Sequence, residues 1–196
     1  MDFVFKIVFL LFFLQFISVS NGKVERPYRS KIAVSNGGTL GSWGPREMCP
    51  FGTYATGFSL KVEEELNDDN TALNGISLYC SGSPLSSQPE STVESDEGSW
   101  GNWTEEIYCD YGVLIAFQLC VEGSQGDGDD TAANNIRFLC SSGERLTGDG
   151  MSWGKWGKRS ATCFNSAICG IQTRVEPPQN PGDNTALNDV RFFCCT

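Results

Sequence analysis

The sequence predicts an all-β protein made of one repeated unit and stapled by disulfides. Three observations carry this reading. A closing motif occurs three times, cysteines recur at a fixed interval, and apolar residues alternate with period two without a sustained helical period.

The motif comes first. Residues 69–80 read Asp-Asn-Thr-Ala-Leu-Asn-Gly-Ile-Ser-Leu-Tyr-Cys, residues 129–140 read Asp-Asp-Thr-Ala-Ala-Asn-Asn-Ile-Arg-Phe-Leu-Cys, and residues 183–194 read Asp-Asn-Thr-Ala-Leu-Asn-Asp-Val-Arg-Phe-Phe-Cys. Each follows a related opening element, Leu40-Gly-Ser-Trp43, Trp100-Gly-Asn-Trp103 or Trp153-Gly-Lys-Trp156, and each unit carries a Val-Glu pair (62–63, 121–122, 175–176). The repeats therefore run 40–80, 100–140 and 153–194. The connectors between them, 81–99 and 141–152, have the Ser-, Pro- and Gly-rich composition of loops.

The strands follow from alternation. Ile76, Leu78 and Cys80 share one face of a strand, as do Ile136, Phe138 and Cys140, and Val190, Phe192 and Cys194. A second strand recurs at 57–62, 116–121 and 170–175. One such unit cannot bury a core alone, but three stacked around an axis can.

The cysteines lie at 49, 80, 109, 120, 140, 163, 169, 194 and 195. Cys49 and Cys80, Cys109 and Cys140, and Cys163 and Cys194 are each 31 apart, which predicts one closed loop per unit. Cys195 follows Cys194 on a strand and faces the other way, so Cys169–Cys195 is the expected fourth bridge, with exchange inside that last quartet left open. Cys120 remains as a free thiol. It stands where the other units have Lys61 and Arg174, which predicts an outward, exposed side chain. With no Cys-x-x-Cys pair and no histidine, zinc is not expected, nor is any metal or cofactor.

Lys6, the apolar run 7–14 continued by Phe16 and Ile17, and then Ser18-Val19-Ser20 have the order of a secretory signal. The reading is a signal peptide over 1–20 and a single domain over 21–196, secreted and extracellular. The run is shorter than the about 20 residues a spanning helix needs, so no membrane insertion is expected after cleavage. A net charge of −10 argues against nucleic acid as a partner.

The Asp-Asn/Asp-Thr-Ala-x-Asn motif, the Trp-Gly-x-Trp element and the Phe-Phe-Cys-Cys ending resemble the vitelline membrane outer layer protein 1 family, over about 31–196. The resemblance implies a β-prism of three Greek-key sheets with pseudo-threefold symmetry and four disulfides. It also implies a structural coat protein, a fold similar to that of some plant lectins, and a transferase-like activity on N-acetylchito-oligosaccharides. Cys120 is an addition to the family's eight-cysteine pattern, and the gap from Cys163 to Cys169 is wider than expected.

Candidate residues for chemistry are few. Asp69, Asp130 and Asp183 recur in equivalent loops and could serve as paired carboxylates. A motif present in every unit is better explained by folding, through side-chain hydrogen bonds that set turns. Trp100 and Trp153 could stack on sugars; the recurrence of the tryptophans argues instead for a place in the core. Asn102-Trp103-Thr104 is an N-glycosylation sequon. No histidine exists to activate a serine or cysteine, so no catalytic residue is assigned. The sequence thus reads as a secreted coat protein binding extracellular glycans or matrix proteins. The alternative is a carbohydrate-active transferase or hydrolase acting on N-acetylchito-oligosaccharides.

Overall fold

The computed structural model describes residues 25–65, 70–84, 88–125, 130–179, 182 and 184–196. The expected signal peptide, Asp69 and Asp183 lie outside them. The described chain forms three antiparallel sheets. In the first sheet, β4 (Tyr54–Val62) and β5 (Leu73–Ser81) form a central hairpin, β6 (Ser91–Glu94) pairs with β5, and β7 (Asn102–Trp103) and β8 (Ile107–Tyr108) pair with β4. The second sheet repeats this with β9 (Leu114–Val121), β10 (Ala133–Cys140), β11 (Arg145–Thr147) and β12 (Lys155–Trp156). The third uses β13 (Ala167–Val175) and β14 (Leu187–Cys195), flanked by β1 (Ser30–Ala33), β2 (Ser42–Trp43) and β3 (Glu47–Met48) from the other end of the chain. In each sheet the returning short strand lies beside the first long strand, which is Greek-key order.

The sheets do not coincide with the sequence repeats. The first long hairpin belongs to repeat 40–80, but the strand that completes its sheet, Asn102–Trp103, comes from repeat 100–140. Lys155–Trp156 likewise completes the second sheet and Ser42–Trp43 the third. Each repeat is therefore shared between two sheets. The last sheet closes on the first repeat, which makes the chain circular in its pairing.

The three equivalent disulfides reinforce this exchange. Cys49 hangs on the third sheet, its N–H donating to the Cys169 carbonyl at 2.8 Å, and bonds to Cys80 in the first. The Cys109 N–H donates to Thr56 of the first sheet, and Cys109 bonds to Cys140 of the second. The Cys163 N–H donates to Ile115 of the second sheet, and Cys163 bonds to Cys194 of the third. Thr56, Ile115 and Cys169 sit at register shifts in their strands, so each bulge presents a carbonyl to the next repeat. A fourth disulfide, Cys169–Cys195, lies within the third sheet.

The inner faces meet on the axis. Phe58, Phe117, Phe138 and Phe192 are fully buried, with ring centroids 4.7 Å (Phe58–Phe138), 4.8 Å (Phe117–Phe192) and 5.2 Å (Phe138–Phe192) apart. Ile76, Leu78, Leu119, Ile136, Ile171 and Val190 fill the space around them. Aromatic rings at these spacings add edge-on contact to the burial of large apolar surface.

Two expectations are corrected here. Cys120 is a free thiol, but it is buried rather than exposed. Its Sγ–H donates to the Trp153 carbonyl at 3.2 Å, and it pairs across the ladder with Trp156, so the element supplied by the next repeat covers it. The tryptophans are not core residues. Trp43, Trp100, Trp153 and Trp156 are half-buried and Trp103 is 40% exposed, because their element forms the sheet edges.

The buried thiol gives a direct check. Burial pushes its pKa up, which suppresses the reactive thiolate. The native protein is expected to resist a thiol reagent at pH 8 and to release one equivalent per chain in denaturant. Replacing Cys109 and Cys140 together with serine is expected to lower stability by about 3–4 kcal/mol from loop entropy, read from denaturant midpoints.

Candidate functional site

The recurring motifs converge at one end of the sheets, where each long hairpin turns. In the first sheet the Thr71 hydroxyl donates to Glu63 Oε2 at 2.6 Å and accepts from Asn74 Nδ2 at 2.7 Å. Asn74 Nδ2 also donates to the Ala72 carbonyl, which accepts the Glu63 N–H as well. The second sheet repeats this with Thr131, Glu122 and Asn134, and the third with Thr185, Glu176 and Asn188. Ala72, Ala132 and Ala186 are held at φ of 50°, 53° and 45°. That left-handed conformation costs an L-residue roughly 1–2 kcal/mol, which the hydrogen bonds around it offset.

The Gly of each opening element closes the assembly. Gly41, Gly101 and Gly154 have φ of 73°, 82° and 81°, and a Cβ at any of them would lie within 2.5 Å of the Val-Glu peptide beneath it. Neither a side chain nor an ordinary backbone fits there. The Val-Glu pair, visible in the sequence without a role, is thus the acceptor that organises each turn.

Asp130 does the work of a turn residue. Its Oδ1 accepts the Gln125 N–H at 2.5 Å and its Oδ2 accepts from Ser124 at 2.9 Å. In the third sheet Asn184 Oδ1 accepts the Gln179 N–H at 2.6 Å from the equivalent place, so a neutral amide makes the same bond. Gln125 Nε2 donates to Glu122 Oε1 and Gln179 Nε2 to Glu176 Oε1, a pairing the sequence reading missed. The common offset of three residues from Glu to Gln in these two units was its only trace.

Two grooves open at this end. The first, about 290 Å³, is lined by Glu65, Asn70, Glu122, Gln125, Thr131 and Trp153. It joins the turns of the first and second sheets and brings Trp153 beside two carboxylates. Asn134, next to Thr131 in the turn, departs from the repeat. Asn74 Oδ1 accepts the Trp100 N–H and Asn188 Oδ1 accepts the Leu40 N–H, both at 3.2 Å. Asn134 Oδ1 is buried and has no partner among the described residues. The second groove, about 570 Å³, lies between segment 95–99 and Glu176-Pro177-Pro178. Trp100 is outside the lining of both.

A cleft of about 460 Å³ at the cysteine end is lined by Arg26, Arg46 and Phe51 among others. Arg26 is consumed there by structure, donating to the carbonyls of Cys49, Pro50 and Thr53. Asn102 of the sequon is exposed on β7, and the Thr104 hydroxyl accepts the Leu60 N–H at 3.1 Å. Cys109, Cys140 and Glu144 approach one another, but the two sulfurs are bonded together and offer no thiolate.

Comparison with known proteins agrees with this architecture. The family model described as vitelline membrane outer layer protein I matches residues 30–196. The chain belongs to that family. The human vitelline membrane outer layer protein 1 homolog is 51% identical over 171 residues, covering 86% of this chain and 84% of that protein. The mouse homolog is 47% identical over 175 residues, covering 88% and 86%. Among solved structures, single-chain jacalin superposes with a TM-score of 0.54 at 11% identity, covering 90% of this chain and all of that one. A mannose-specific jacalin-related lectin from Morus nigra gives 0.54 at 14%, covering 88% and 98%. At such identities these lectins establish the β-prism fold.

The repeat supplies its own control for one charge at this end. Asp189 Oδ1 accepts the Val190 N–H at 2.8 Å, as Asn135 Oδ1 accepts that of Ile136. Burial raises the Asp189 pKa to about 6, opposed by the Val190 bond and by Arg174 and Arg191. A folded-state pKa above the unfolded one means that ionisation opposes folding, so stability falls as pH rises from about 4 to about 6. Asp189→Asn is expected to raise the melting temperature at pH 7.5 and to change little at pH 4.

Proposed function

We propose that this chain is a secreted coat or matrix protein that binds hydroxyl-rich glycans in the groove between the first two sheets. The supporting observation is the grouping of Trp153 with Glu65, Asn70, Glu122, Gln125 and Thr131 around one opening. A half-exposed indole offers a flat apolar face to a sugar ring. Carboxylates and amides beside it accept and donate hydrogen bonds to hydroxyls.

Membership of the family and the lectin-like prism favour the same reading. The four disulfides and the expected signal over 1–20 favour an oxidising, extracellular setting. The glutamates that recur in all three turns, Glu63, Glu122 and Glu176, each accept a threonine hydroxyl, which favours binding over hydrolysis or transfer.

Titration of the intrinsic fluorescence with N-acetylchitohexaose and mannotriose tests this. Binding of at least one is expected, with Trp153→Ala weakening it by about tenfold and Phe164→Ala, beside Cys163 at the disulfide end of the sheets and 74% exposed, leaving it unchanged. Equal binding by the Trp153 variant would contradict the groove. New chain lengths appearing by mass spectrometry after incubation with the hexasaccharide would favour the transferase or hydrolase instead.

A further inference from the structure

The outer face of the second sheet departs from the character of the rest of the chain. The protein carries 24 acidic and 14 basic residues, yet Arg137, Arg145 and Arg159 border one recess of about 320 Å³, floored by Gln118 and Leu139. Arg145, Arg159 and the neighbouring Lys155 and Lys158 are exposed. Among the described residues none of these five cations makes an ion pair.

The placement is built by the sheet. Arg137 lies opposite Gln118 on one side and Thr147 on the other, and Arg145 lies opposite Leu139, so all project from the outer face. The Arg137 guanidinium lies 3.8 Å from the Trp156 ring centroid, and its Nε donates to Thr147 Oγ1 at 3.1 Å. Stacking and that bond fix the plane of the guanidinium and leave its terminal nitrogens free to donate.

The other two sheets show what is particular here. In the first, Ser77 stands in the place of Arg137, Thr92 in that of Arg145, and Glu105-Glu106 in that of Lys158-Arg159. That face is acidic. In the third, Arg191 keeps the stack, on Trp43 at 4.1 Å, but its guanidinium also bonds Gln172 and lies near Asp189, and Arg46 pairs with Glu25. Lys31 stands there in the place of Arg145, but among the described residues it is in the second sheet that three guanidiniums without a carboxylate partner border one recess.

We infer that this recess is a second binding site, separate from the turn-end groove, for the sulfate groups of an anionic polysaccharide. Three guanidiniums around one opening match an oxyanion with several acceptor oxygens, because each presents paired donors in a fixed plane. Gln118 supplies an amide, and Leu139 an apolar floor, for the sugar that bears the sulfate. A net charge of −10 repels an anionic membrane and a nucleic acid as a whole, whereas a flexible sulfated chain can meet one face alone. The same charge opposes docking of a second copy.

The test uses the mature protein with dextran sulfate and with neutral dextran of the same length, by calorimetry across a salt series. Dextran sulfate is expected to bind, with log affinity falling linearly as log salt rises, and neutral dextran is not. Arg145→Thr combined with Arg159→Glu is expected to weaken dextran sulfate by on the order of tenfold and to flatten the salt slope. Melting temperature and N-acetylchitohexaose binding should stay unchanged. Absence of wild-type binding, equal binding of neutral dextran, or an undiminished affinity in the double variant would overturn the site. So would a concentration-dependent dimer in sedimentation that the double variant dissolves while dextran sulfate is ignored. Loss of the hexasaccharide through Trp153 leaves this outcome untouched, so the two sites fail independently.

Discussion

The fold depends on a threonine hydroxyl held between a glutamate carboxylate and an asparagine amide. Thr71, Thr131 and Thr185 each donate to one glutamate and accept from one asparagine at 2.6–2.7 Å. The bond to a charged acceptor is the stronger kind, about 1.5–3 kcal/mol net. It holds the following alanine in a left-handed turn that no glycine relieves. From that turn the second long strand leaves in register with the first.

The same asparagine passes the constraint onward. The backbone carbonyls of Asn74, Asn134 and Asn188 accept the N–H of Gly98, Met151 and Gly38, at 2.7, 3.0 and 2.7 Å. The linker is thereby guided to the edge where its glycine can lie on the Val-Glu peptide. The short strand joins the edge of that sheet, and the cysteine after it reaches the bulge carbonyl. Turn, linker, edge strand and disulfide are steps of one path, taken three times. Threefold repetition explains why so many polar residues recur and why recurrence alone does not mark an active site.

Much of this was legible in the sequence. The triplication, the period-two strands and the interval of 31 between cysteines are local patterns that survive in one dimension. The partition of repeats between sheets was not legible, because Asn102–Trp103, Lys155–Trp156 and Ser42–Trp43 are two residues long and too short to alternate. Two errors follow from that blindness. Cys120 was expected to be exposed because its equivalents are Lys61 and Arg174, but its cover comes from another repeat. The tryptophans were expected inside, yet they form edges that no further strand covers. For the candidate sites, Trp153, Glu122 and Thr131 could be found from the motifs. Glu65, Arg145 and Arg159 could not, since none of them belongs to a repeated pattern, and Arg137, which shares the closing motif with Arg191, carries no sign there of the cations gathered around it.

The two candidate sites both lie where the symmetry fails. The groove between the first two sheets includes Trp153 near Asn134, the motif asparagine whose side-chain oxygen has no partner among the described residues, and the cationic recess has an acidic counterpart on the first sheet. The most direct test of the central claim is therefore the equality of the three turns. Thr71→Val, Thr131→Val and Thr185→Val, made singly and compared by denaturant unfolding, are expected to lose about 1–3 kcal/mol each and to agree within about 1 kcal/mol. A variant among the three that unfolds at the wild-type midpoint would contradict the account.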